Sequence, residues 1–221
     1  MPRSSPPAEV DLLADGALEA SSVVANRAMN RTRRLDGRDG YARVLGLDIV
    51  GFLRERGPAR WLDLCCGSGR ALLDAAELLP EVEITGVDLV GYFAEPPRGR
   101  VRFETASITA WAPEGAFDLI TCVHGLHYVG DKLGVLTRAA SWLTGDGVFV
   151  ANFDAAGVRA PSGRVATALR QAGFDYDGRA RRVRRTGHAE AKLPFRYLGA
   201  DDHAGPNYTG QPAVDSYYDL G

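Results

Sequence analysis

The feature that most constrains this chain is a repeated switch between two hydrophobic periods in its middle. "ARWLDLCC" is a short, nearly continuous apolar run, the mark of a strand buried on both faces of a parallel sheet. "GRALLDAAELLP" follows with helical spacing and stops at Pro80. The pattern then recurs: strands "VEITGVDL", "RVRFETA" and "AFDLITCV", helix "KLGVLTRAASWL", strand "GVFVANF". Strands alternating with helices imply right-handed crossovers and a mostly parallel sheet. Near the end "SGRVATALRQAG" reads as a helix. "GRARRVRRTG" and "AKLPFRYLGA" are then expected to form an antiparallel pair at the sheet edge.

Ahead of this core, Ala17 to about Leu35 has few breakers and reads as one helix. After "DGRDG", "YARVLGLDIVGFLRERG" reads as a second, ending at Gly57. The expected fold class is therefore α/β, a doubly wound seven-stranded mixed sheet with an N-terminal helical cap. The expected divisions are a disordered, proline-rich lead over 1–16, the cap over 17–57, the sheet domain over 58–200 and a tail over 201–221. That tail carries Tyr208, Tyr217 and Tyr218, so a packed segment and a mobile one both stand open.

Composition limits the partners. The 221 residues suffice for one sizeable domain, and a net charge of −2 argues against a nucleic-acid backbone as the main partner. No apolar run reaches the length of a membrane span, and the first residues lack the apolar stretch of a secretory signal. Three cysteines, two of them adjacent (Cys65, Cys66), make neither a disulfide framework nor a zinc pair, so a reduced cytosolic setting is expected. A monomer and a homodimer are both compatible with the sequence.

The chemistry concentrates in "LDLCCGSGR", Leu62 to Arg70. A P-loop would need a lysine after the glycines, and none follows. A dinucleotide fingerprint starting at Gly67 would need glycine at 72, where Leu72 stands. What remains is an acid ending the first strand with small residues at alternate positions: Asp63, Cys65, Gly67, then Ser68 and Gly69. A carboxylate suits a ligand carrying an ammonium or sulfonium charge and repels a pyrophosphate. A second acid, Asp88, ends the next strand about 20 residues on, where a carboxylate accepts from ribose hydroxyls. The two acids together call for a cationic, ribose-bearing ligand without phosphates.

The block from Trp61 to Phe153 resembles the class I S-adenosylmethionine-dependent methyltransferases. "LDLCCGSGR" is similar to that family's first motif and "GVDL" to its ribose-binding strand end. "RVRFETASI" resembles its adenine-reading segment, "FDLITCVHGLHYV" its fourth strand and acceptor-facing loop, and "WLTGDGVFV" the lead into the fifth strand. The resemblance implies a Rossmann-like methyltransferase fold and S-adenosylmethionine as cofactor, with S-adenosylhomocysteine as product. It implies Asp63, Cys65, Gly67, Ser68 and Gly69 around the methionine part, with Val123 nearby. Asp88 and Leu89 fall to the ribose, and Ser107 and Ile108 to the adenine.

The expected reaction is methyl transfer to a small organic acceptor, an oxygen in preference to nitrogen or carbon. The alternative is a non-methylating cyclisation or elimination with the cofactor as scaffold. A nicotinamide-dependent oxidoreductase is a third reading.

Two departures from the family bear on affinity. Cys65 replaces a loop glycine, tolerable at negative φ and strained at positive φ. Ser107 stands where many relatives carry an acid toward the adenine amine, and a hydroxyl accepts more weakly.

His124 is the candidate general base. His127 and Tyr128 are expected near the acceptor, although His127 also fits a structural role. Asn26 and Asn30, four apart on one helix face, and Tyr41 are candidate substrate contacts, with Arg43 reaching toward the cofactor carboxylate. A solvated polar face or helix-end contacts explain these four slightly better. No metal site is expected, since two histidines three apart lack further ligands. "RARRVRR", Arg179 to Arg185, reads as a solvated face blocking edge pairing, and Trp111 as a loop anchor.

Overall fold

The computed structural model describes residues 11–25, 33–161 and 164–221. Among these residues ten strands form two sheets: β1 (Arg60–Leu64), β2 (Glu83–Asp88), β3 (Val101–Thr105), β4 (Phe117–Cys122), β5 (Leu143–Asn152), β6 (Val158–Arg159), β7 (Asp175–Asp177), β8 (Arg182–Thr186), β9 (Phe195–Asp201) and β10 (Asp215–Leu220). The main sheet has seven strands in the order β3-β2-β1-β4-β5-β8-β7. Its first five strands are parallel, and β8 runs antiparallel to both its neighbours. The expected seven-stranded mixed α/β sheet is therefore present. Strand order reverses between β1 and β4, which opens a crevice at their carboxyl ends.

Alternation within each strand explains why the runs look continuously apolar. Leu62, Leu64, Ile120 and Phe149 face one way and pack with Leu136 of α5 (Lys132–Ser141) and Leu169 of α6 (Val165–Gln171). Trp61, Ile84, Leu119 and Val150 face the other way, against Leu53 of α3 (Ile49–Arg56) and Leu72 of α4 (Arg70–Leu78). Both faces are covered, so neither needs polar positions.

The N-terminal region departs from the expected pair of helices. In place of one helix from Ala17 to Leu35, α1 spans Asp15–Glu19 and gives way to turns through Ala25. "SSVV" follows it, and serine hydroxyls compete for backbone groups while valines lose rotamer freedom in a helix. The second helix is divided. α2 (Tyr41–Leu45) ends at Gly46, left-handed at φ 63°, and α3 restarts behind Asp48, whose carboxylate accepts from the Gly51 N–H at 2.9 Å. α3 belongs to the layer covering the sheet rather than to a cap over the cleft. Of the expected disordered lead, residues 1–10 lie outside the described residues, whereas Leu13 bridges to Ala200 and Asp15 opens α1.

The antiparallel pair is also differently made. "RVRRT" pairs with β5 on one side and the three-residue β7 on the other, so the arginine run is interior to the sheet. Its side chains tie neighbouring elements together. Arg182 donates to the Leu45 carbonyl at 2.8 Å and Arg185 to the Ala172 carbonyl at 2.7 Å. "FRYLGAD" instead pairs with β10, and β10 with β6, as a second, three-stranded sheet. The stretch 201–221 thus ends in an inserted strand. Lys132, 2% exposed, fastens it by donating to the Val129 and Val214 carbonyls and to Ser216 Oγ at 2.7–2.9 Å. Burial pushes this lysine down to about 7. Tyr218 OH adds a second tie, accepting from the Leu133 N–H and donating to Asp131. Among the described residues no helix is long and apolar enough to cross a membrane.

Candidate active site

The turn from β1 into α4 is built from left-handed residues. Cys65 has φ 56°, Gly67 φ 58° and Gly69 φ 70°. The condition set on Cys65 by sequence is therefore met on its unfavourable side, and a side chain in this region costs roughly 1–2 kcal/mol. Gly69 admits no substitute, because a Cβ there would stand 2.4 Å from the Phe103 ring. The Cys66 N–H reaches the Val87 carbonyl at 3.1 Å, and the Gly67 N–H reaches Asp88 Oδ2 at 2.8 Å. Asp88 Oδ1 accepts from the Val90 N–H at 2.9 Å. Burial raises the Asp88 carboxyl above its ordinary range, and the two backbone bonds oppose that. Each oxygen keeps a lone pair for a further donor.

Asp63 lies elsewhere than the motif implies. It is fully buried behind the turn, where Oδ2 accepts from Tyr41 OH at 2.8 Å and Oδ1 from Thr121 Oγ1. Thr121 in turn accepts from Trp61 Nε1 at 2.8 Å. Desolvation pushes the Asp63 carboxyl up to about 7, with the two hydroxyl bonds holding it lower than burial alone would. Asp63 ties α2 to two central strands and forms no wall of the cleft.

Two cavities meet at Cys65 and Tyr128. The first, about 720 Å³ including its open mouth, is lined by Asp88, Leu89, Ser107 and Ile108, with Glu19 and Val24 contributed by the N-terminal region. The second, about 550 Å³, is lined by Tyr41, Gly67, Val123, His124 and His127, with Arg33, Asn207, Thr209 and Gln211 from segments distant in sequence. Ser68 is 4% exposed and its carbonyl accepts from the Ala94 N–H. Arg43 is exposed, away from both cavities. Asn26 and Asn30 lie outside the described residues. Trp111 is tied down, its Nε1 donating to Glu104 at 2.6 Å and its ring edge-on to Trp142.

His124 caps a 3-10 turn at φ 59°, its N–H on Asn152 Oδ1 at 3.2 Å and its Nδ1 3.4 Å from Tyr208 OH. Tyr208 also stands edge-on to His127, ring centroids 5.3 Å apart, with the Arg181 guanidinium over its ring. His127 is 5% exposed and its Nε2 has no hydrogen-bond partner among the described residues. Burial pushes its pKa down to about 4, and the positive charge of Lys132 adds to this, so it is neutral near pH 7. Sequence reading missed Glu19, Arg33, Asn207 and Gln211. None sits in a motif, and the weight of tyrosine near the C-terminus was the one sign that this stretch packs.

A methyltransferase domain family model matches residues 29–173, more than half of the chain. The chain belongs to this methyltransferase family. Similar curated proteins include a demethylmenaquinone methyltransferase of Deinococcus radiodurans, 27% identical over 55% of this chain and 52% of that protein. A trans-aconitate 2-methyltransferase of Streptomyces avermitilis is 33% identical over 41% of this chain and 36% of that protein. The chain thus spans about half the length, or less, of these curated relatives. Among solved structures, the plantazolicin methyltransferase BpumL in complex with SAH is 17% identical, with a TM-score of 0.41 over 51% of this chain and 43% of that one. The fold of this family member rests on its own strand order.

Proposed function

We propose that the protein transfers a methyl group from S-adenosylmethionine to an oxygen of a small, anionic organic acceptor. The observation that carries this reading is the meeting of the two cavities at Cys65 and Tyr128. One holds the ribose-type acid and apolar walls; the other holds the histidines. Bound S-adenosylmethionine supplies an electrophilic methyl on a sulfonium centre. Cys65, Gly67 and Gly69 shape the turn that would border its methionine part. Asp88 beside Leu89 accepts from the ribose, and Ile108 with Ser107 borders the base. Two carboxylates, Asp88 and Glu19, line the first cavity, which fits a ligand of positive charge without phosphates.

The second cavity suits an oxyanion. Arg33, His124, His127, Asn207 and Gln211 line it, and no carboxylate does among the described residues. Asn207 Oδ1 is taken by the Thr209 N–H and hydroxyl, and its Nδ2 is a donor with no partner among the described residues. Similarity to proteins named for trans-aconitate supports a carboxylate acceptor. An ionised carboxylate needs no base to activate it, so positioning carries most of the catalysis. His124 is the group placed to take a proton should the acceptor be a hydroxyl.

The test is turnover of methyl-labelled S-adenosylmethionine against small dicarboxylic and tricarboxylic acids, their primary amides, and small amines. Label recovered as base-labile ester is the expected result. Label recovered in amines, or acceptor consumed with no S-adenosylhomocysteine formed, contradicts it.

A further inference from the structure

We propose that Glu19, carried by α1, is the residue that reads the exocyclic amine of the cofactor's adenine, an inference that rests on the cofactor reading above. Ser107 puts a hydroxyl, a weaker acceptor than a carboxylate, at this end of the site. The hydroxyl of Ser107 is moreover already engaged. It donates to Glu19 Oε1 and accepts from the Thr109 N–H at 3.2 Å. Thr109 Oγ1 lies 3.4 Å from the same Glu19 oxygen. Oε2 of Glu19 has no hydrogen bond among the described residues, and the side chain lines the first cavity beside Val24, Ile108 and Leu89. A carboxylate against mainly apolar walls has its strongest complement in an N–H donor.

Position along the cleft agrees. β1, β2 and β3 lie side by side, their carboxyl ends about 4.8 Å apart per step. Cys65 follows β1, Asp88 ends β2 and pairs with Thr105, and Ser107 lies two residues beyond Thr105. The order is sulfonium end, ribose, then base, and Glu19 comes in on the base side.

Glu19 is held there by structure. Leu18 beside it is buried against Ala200 and Val214, Leu13 exchanges two backbone bonds with Ala200 at 2.8 and 3.0 Å, and Tyr197 OH donates to Asp15 at 2.9 Å. The second sheet thus sets one wall of the cofactor cleft as well as contributing to the second cavity. Removing α1 would open the base end.

The discriminating experiment compares binding of S-adenosylhomocysteine with its deaminated analogue, S-inosylhomocysteine, by calorimetry on the intact chain and on Glu19→Gln. The analogue presents a carbonyl oxygen in place of the amine, which a carboxylate repels and a glutamine amide accommodates. The unsubstituted protein is expected to prefer S-adenosylhomocysteine at least tenfold, and Glu19→Gln to bring the ratio near one with an unchanged melting temperature. A ratio that is the same in both proteins, or an absence of preference in the unsubstituted one, overturns the assignment of Glu19. Failure of both ligands to bind the unsubstituted protein overturns the cofactor reading itself and this inference with it.

Discussion

Asp63→Ala is expected to lower stability by about 3 kcal/mol or more, because it strips two buried hydroxyls of their acceptor. For a chain of this length that is a fall of about 6–12 °C in melting temperature. Tyr41 OH loses its partner outright, and Thr121 keeps the Trp61 bond but loses the acceptor for its own proton. Asp63→Asn should cost about 1 kcal/mol, since an amide is close in shape to the neutral carboxyl.

The pH dependence separates the two states. The folded pKa of Asp63, about 7, lies above its ordinary value of 3.8, so the folded protein binds more protons between these limits. Its contribution to stability is present in full below about pH 4 and is lost as pH rises toward 7. His127, lowered from 6.5 to about 4, acts in the opposite sense across part of that window. The informative quantity is therefore the difference between the protein and Asp63→Asn. The substituted chain should gain stability relative to the original as pH rises from 4 to 7. Parallel curves from chemical denaturation would sink this account of Asp63.

Gly125→Ala is the second large effect. A Cβ at this position would stand 2.3 Å from Cys65 Cβ, 2.7 Å from its Sγ and 3.0 Å from Cys122 Sγ. Cys65 cannot step aside freely, since its backbone is already left-handed. Overpacking of this kind costs about 1–3 kcal/mol, and it falls on Cys65, one of the two residues lining both cavities. Affinity for S-adenosylhomocysteine is expected to drop at least tenfold. Adding Cys65→Gly removes the two closest contacts and the backbone strain, leaving the 3.0 Å approach to Cys122 Sγ, so the double variant should recover most of the loss. Binding by Gly125→Ala at the original affinity would mean that Cys65 is no wall of the ligand site.

Both effects show how unevenly the site is written in the sequence. The parallel core is legible because its central strands β1, β2, β4 and β5 are buried on both faces and each helix on one, which leaves two distinct hydrophobic periods. The turn at 65–69 and Asp88 are legible because strand ends and small residues fall at fixed intervals. Asp63 shows the limit of that reading. A motif position places the residue at the strand end, but only packing decides that Tyr41 and Thr121 occupy both its oxygens. The true partner of β8 is not legible in the sequence, because β7 is three residues, "DYD", with too little alternation to announce a strand. "FRYLGA" was the next β-like run, and its partner lies in what reads as a tail. Glu19 and Asn207 were invisible for a related reason. Each reaches the cleft only because β9 and β10 bring distant ends of the chain together.

In the proposed function, the cleft at the ends of β1, β2 and β3 holds S-adenosylmethionine through Asp88. The most direct test is calorimetric titration of S-adenosylmethionine, S-adenosylhomocysteine and NAD into the protein and into Asp88→Ala. Micromolar binding of the first two, lost in Asp88→Ala, with no binding of NAD, is expected. Binding of NAD alone, or S-adenosylhomocysteine binding unchanged by Asp88→Ala, would contradict it.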